Sequence, residues 1–316
     1  MAAEKPPKGL IVDLITPLND GGGIDEGGLY SLLGKILPHA DAVLLASPQI
    51  GEGSDLSLEL KVDLLEKASA IIQDKAPIFF WISEKSTDDT KQSLALLEDR
   101  LESCDNKGMV FWLDSPLFYH SNRGLYEYYE ELTSDARYPF ILYNDPALVT
   151  VLERPLKRRN IRTNILKNLS RIEKITALIF RGLLTRANNY QKAVSARPDF
   201  RVYDGDETRF LEHPSLSGVL SIGANIAPGI WGTITKASLG HQEVDRMKGD
   251  YLNQLFEMGN LLQDLIQIYQ KNPVGMLKRV LFDLKIIGSS ACTPANEPVK
   301  DETNPLAEFL SRHHIY

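Results

Sequence analysis

The feature that most constrains this chain is its alternation of short apolar runs with longer helical patterns. The runs are LIVDLIT (10–16), AVLLA (42–46), PIFFWI (77–82), MVFWL (109–113), FILYN (140–144), ITALIF (175–180), FRVYD (200–204) and GVLSI (218–222). Most are continuously apolar, the pattern of strands covered on both faces. The segments between them read as helices. Ser57 is a good N-cap, and Leu58, Val62, Leu65 and Ala68 follow it at helical spacing. Thr87 opens the next helix with Asp88 and Asp89 in its first turn, where acidic groups suit the helix dipole. Eight strands separated by helices predict an α/β fold, a (β/α)8 TIM barrel. A doubly wound sheet would carry a glycine-rich turn after its first strand. Gly21–Gly23 lacks the G-x-G-x-x-G spacing and reads as a flexible loop.

After the eighth run the chain becomes helical. Residues 243–270 form one long amphipathic pattern, and a second runs from Pro273 near N1 to Gly288. The expected organisation is therefore a barrel over 1–235 and a C-terminal helical extension over 236–316. The net charge of −7 is a poor start for binding nucleic acid, which needs clustered cations. The chain has two cysteines without metal-like spacing, no apolar run of membrane-span length and no signal-peptide pattern at its start. These observations predict a cytoplasmic protein that binds neither nucleic acid nor membrane. Asp114, Asp145, Asp204 and Asp206 fall at strand ends with no histidine among them, so no metal site is expected.

Function in such a barrel lies at the C-terminal ends of the strands. In order, those ends read Thr16-Pro17, Ser47-Pro48-Gln49-Ile50-Gly51-Glu52, Ser83-Glu84-Lys85, Asp114-Ser115-Pro116, Tyr143-Asn144-Asp145-Pro146, Ile179-Phe180-Arg181-Gly182, Asp204-Gly205-Asp206 and Gly223-Ala224-Asn225. The loop 148–163 carries Arg154, Lys157, Arg158, Arg159 and Arg162. It reads as a solvated loop, with an anion-attracting lid as the sharper alternative.

Five of these motifs, in this order, resemble the dihydrodipicolinate synthase / N-acetylneuraminate lyase family of Schiff-base aldolases. TPLNDGGGIDEGGLYSLL is similar to the family's Thr-Pro turn followed by Ile-Asp and a helix, and GEGSDLSLE to its Gly-Glu-x-x-x-Leu-Ser-x-Glu. ILYNDP resembles its Tyr-Asn-x-Pro, YDGDETRFL its Gly-Asp-Asp segment, and GVLSIGANIAP its Gly-x-x-Ser-x-x-Ala-Asn-x-x-Pro. The resemblance spans about residues 9–290. It implies a lyase or aldolase that uses no cofactor. A lysine on the sixth strand forms an iminium with a 2-oxo acid, a tyrosine on the fifth relays protons, and a Thr-Thr pair holds the carboxylate.

The resemblance carries Tyr143 over as the catalytic tyrosine. The lysine position falls on Ile179, with Ala177 at the family's glycine. Counting back from Gly51-Glu52 puts Gln49 and Ile50 at the Thr-Thr pair; counting forward from Asp41 offers Ser47 instead. Gly205 and Leu220 complete the expected substrate-binding set. The synthase branch's carboxylate-binding arginine falls on Leu148. Phe118 and Tyr119 compete for a second relay tyrosine. Lysine and arginine have thus given way to alkyl groups, which dries the pocket and removes donors for a buried carboxylate. The expectation is a divergent family member without standard Schiff-base catalysis. The alternative is an active lyase using Tyr143 with a relocated amine, Lys85 being one candidate, or with non-covalent chemistry. The expected partners are a small-molecule ligand, with a 2-oxo acid as the family's class, and further copies of the chain, as a dimer or tetramer.

Overall fold

The computed structural model describes residues 4–104, 108–152, 158–240, 249–296 and 304–315. Eight parallel strands close into one barrel in sequence order. They are β1 (Gly9–Asp13), β2 (Ala42–Leu45), β3 (Ile78–Trp81), β4 (Val110–Asp114), β5 (Phe140–Asn144), β6 (Ile175–Phe180), β7 (Arg201–Asp204) and β8 (Gly218–Ser221). Each coincides with an apolar run, and helices connect the strands.

Strand alternation divides the side chains into two layers. One set fills the barrel: Ile11, Leu44, Phe79, Trp81, Phe111, Leu113, Ile141, Tyr143, Ala177, Ile179, Tyr203 and Leu220. The other set, including Val12, Val43, Phe80, Trp112, Leu142, Leu178 and Phe180, packs outward against the helices. Because both faces are covered, the runs are apolar throughout.

Local signals explain most helix starts. The Ser57 side chain accepts from Leu60 N and caps Leu58–Ile72. Ser86, one residue before the expected start, accepts from Asp89 N and caps Thr87–Ser103. Pro273 opens Pro273–Asp283, but that helix stops five residues before Gly288. Lys285 takes a left-handed φ of 58°, and Gly288 N donates to Asp25 Oδ2 instead. A further helix, Pro305–Arg312, lies within the expected C-terminal extension; Asn304 caps it and Pro305 occupies its first turn.

The C-terminal helices share the outer core. Leu262, Leu265 and Tyr269 of the helix Gly249–Tyr269 are buried in it, as are Leu277, Leu281, Leu306 and Leu310. Two buried polar contacts tie these helices to the strand ends. Tyr269 Oη donates to Glu207 Oε2 at 2.5 Å. Lys278 Nζ pairs with Glu52, both side chains being fully buried. No helix among the described residues is long and apolar enough to cross a membrane.

Candidate functional site

The C-terminal mouth of the barrel is built from residues that continue the inward-facing alternation. On β6, Ala177 and Ile179 point inside, and the next residue in that series is Arg181. On β5, Ile141 and Tyr143 point inside, and Asp145 follows. On β1, Ile11 is followed by Asp13. The register places Tyr143 directly beside Ile179.

Ile179 is fully buried in the barrel lining and Tyr143 is 4% exposed. Arg181 Nη1 lies 3.6 Å from Asp145 Oδ2. Its guanidinium also faces the Tyr143 hydroxyl and acts on Asp13. Burial opposes the guanidinium charge, but Tyr143, Asp145 and Asp13 together hold it more firmly protonated than usual. Burial, and next the Asp145 charge, pushes the Tyr143 phenol above its ordinary range, with Arg181 pulling weakly the other way. Tyr143 is therefore a neutral hydroxyl at physiological pH. Burial pushes the Asp13 carboxyl up to about 7, against the smaller pull of the Ser47 hydroxyl and Arg181.

Gly205 shapes the site by what it lacks. A Cβ there would lie 2.5 Å from Arg181 Cγ and 3.1 Å from the Phe180 backbone. Its own N–H donates to Phe180 O at 2.9 Å, so the β7 turn is drawn against β6 and the arginine stem lies over it. Leu220 lines the barrel with Ile179 and Tyr203. Ser47 is buried, faces Asp13, and accepts from Gly51 N at 2.8 Å.

Gln49 and Ile50 are not brought to this cluster. Gln49 is exposed, and Ile50 packs in the outer core between barrel and helices. Phe118 and Tyr119 also separate. Phe118 packs against the inner lining, its ring 6.1 Å from Trp81. Tyr119 Oη donates to Asp114 Oδ2 at 2.6 Å, in a network with Ser83 and Tyr129 on the outer side of β4.

The lysines near the strand ends are engaged or turned away. Lys174 precedes β6, and its Nζ donates to Thr133 O and Ala136 O, at the opposite end of the barrel. Lys85 is exposed. Lys61 is buried, pairs with Glu84 Oε1 at 2.5 Å and sits 4.8 Å from the Trp81 ring centroid. Burial lowers its pKa, with Glu84 opposing. Of the basic loop, Arg158, Arg159 and Arg162 are exposed, while Arg154 and Lys157 lie outside the described residues. No group of three His, Cys, Asp or Glu side chains is placed to hold a metal ion among the described residues.

Sequence reading alone missed Asp13 and Arg181. Both carried a signal. Asp13 is the one charge inside the run LIVDLIT, and Arg181 follows Ile179 by the strand period of two.

The sequence profile of the Dihydrodipicolinate synthetase family matches residues 6–304. The chain belongs to the dihydrodipicolinate synthetase family. The 4-hydroxy-tetrahydrodipicolinate synthase of Buchnera aphidicola subsp. Baizongia pistaciae is 25% identical over 311 residues, covering 95% of this chain and 96% of that protein. Dihydrodipicolinate synthase from Thermotoga maritima superposes with a TM-score of 0.79 at 17% identity, over 98% of this chain and 100% of that one. A prophage protein of the same family from E. coli K12, solved in complex with pyruvate, gives 0.79 at 17% identity, over 98% of this chain and 99% of its own. At these identities the superpositions speak for the fold alone, a (β/α)8 barrel with C-terminal helices.

Proposed function

We propose that this chain is a divergent dihydrodipicolinate synthase-like protein that binds a small molecule at the mouth of its barrel without forming a Schiff base. The observation that carries this reading is Ile179. It occupies the inward position beside Tyr143, fully buried, where the resemblance calls for the lysine. An alkyl side chain neither attacks a carbonyl nor titrates, and the cation two residues on is a guanidinium, which stays protonated and is no nucleophile. Tyr143 and Arg181 remain as a hydroxyl and a fixed positive charge around an apolar floor, which suits binding and orientation. The protein acts in the cytoplasm, as a homo-oligomer in keeping with its family.

An imine-forming lyase exchanges the methyl protons of pyruvate with solvent, because the iminium tautomerises to an enamine. Proton NMR of pyruvate in D2O tests the reading. Loss of the methyl signal is expected at the buffer rate. Exchange that scales with protein concentration would overturn it.

A further inference from the structure

Asp13 enters the barrel from β1, on the same face as Ile11 and level with Leu44. It is 3% exposed, and its Oδ1 is buried without a hydrogen-bond partner. A buried carboxyl oxygen without a donor is costly, and such orphans call for an explanation. Ser47 faces the carboxyl and pulls on it, its oxygen also accepting from Gly51 N, yet Oδ1 itself has no donor among the described residues, and Glu207 adds a further carboxyl. The Arg181 guanidinium, across the mouth, lies against Asp145 and Tyr143. Counting formal charges among the described residues, Asp13, Asp145 and Glu207 stand against the Arg181 guanidinium. Leu44, Ile179 and Leu220 provide apolar walls.

We propose that this mouth takes a compact ligand with an apolar body and a hydrogen-bond-donating head, a primary ammonium or an alcohol, which pairs with Asp13. A carboxylate would meet the Asp13 and Asp145 carboxyls, with the Arg181 guanidinium already shared between Asp145 and Tyr143. The inference rests on the non-covalent reading above and narrows its ligand class away from 2-oxo acids.

The test is isothermal titration calorimetry of the full chain with n-butylamine, n-butanol and butyrate at pH 8 and fixed ionic strength. Saturable butylamine binding is expected, roughly tenfold or more tighter than butyrate, with a Coulomb-dependent margin over butanol. On the unmodified protein at pH 5.5, where Asp13 carries a proton, the amine's advantage over butyrate should fall by roughly tenfold. Asp13→Asn, checked for folding by its thermal transition, should remove the preference at pH 8. The inference is overturned if butyrate binds as tightly as butylamine, if neither donor probe saturates, or if the preference is indifferent to both pH and Asp13→Asn. Pyruvate exchange in D2O tests the underlying reading separately. A butyrate preference without exchange would sink only the ligand class.

Discussion

Asp13 and Ile179 set the character of the barrel mouth, and each position makes a prediction that a pH series reads. The Asp13 carboxyl is raised from 3.8 to about 7 by burial. Between those values the unfolded chain has released a proton that the folded chain keeps. Stability therefore declines as pH rises through that window and levels off above it, by a few kcal/mol in all. Asp114 and Glu207 are raised by burial too and add to the same slope, so the difference between variants is the readout. Asp13→Asn removes one titrating group. Its urea-unfolding free energy should fall less between pH 5 and 8 than that of the unmodified protein. Parallel slopes would contradict the burial of this carboxyl. Ile179→Lys makes the complementary case. A lysine at that apolar, arginine-flanked position has its pKa lowered in the folded state, so the unfolded chain holds the extra proton. The variant should lose about 3–5 kcal/mol at pH 7 and regain part of it towards pH 10. An unchanged midpoint at pH 7 would mean that position 179 reaches solvent.

Among the elements, the joint between the C-terminal helices and the β2 loop is the most exposed to test. Glu52 sits in the left-handed region at φ 57° and is fully buried. Thr293 N donates to its Oε1 at 2.7 Å, and Lys278 Nζ pairs with its Oε2. Lys278→Met strands that carboxylate and should cost about 3–5 kcal/mol, whereas Lys278→Met with Glu52→Gln should cost markedly less. Equal losses in the single and double variants, measured by chemical denaturation, would mean the pair is uncoupled. This joint was only half legible in the sequence. The motif Gly51-Glu52 was plain, but its partner lies 226 residues away and nothing local announces it. The strands were legible because burial on both faces leaves no polar interruption. The end of the helix after Pro273 was misplaced because Gly288 looked like a stop, whereas the backbone turns earlier, at Lys285. At the mouth, Tyr143 and Ile179 could be placed by motif and strand period. The distribution of Gln49 to solvent and Ile50 to the outer core depends on the loop path after β2, which composition does not encode.

For the whole molecule, barrel and C-terminal helices share one outer core. The homo-oligomer proposed from the family is a dimer or tetramer, and light scattering behind size exclusion reads it directly; a mass of 35.4 kDa would contradict it. The central claim is that this barrel has kept the family fold while its imine chemistry is gone. Intact-mass spectrometry after incubation with pyruvate and borohydride tests it most directly, beside a lysine-bearing family member that labels fully. The account predicts an unmodified mass with pyruvate and with other 2-oxo acids. A stoichiometric reduced adduct would contradict it, and peptide mapping would then name the lysine, with Lys61 and Lys85 the first positions to inspect.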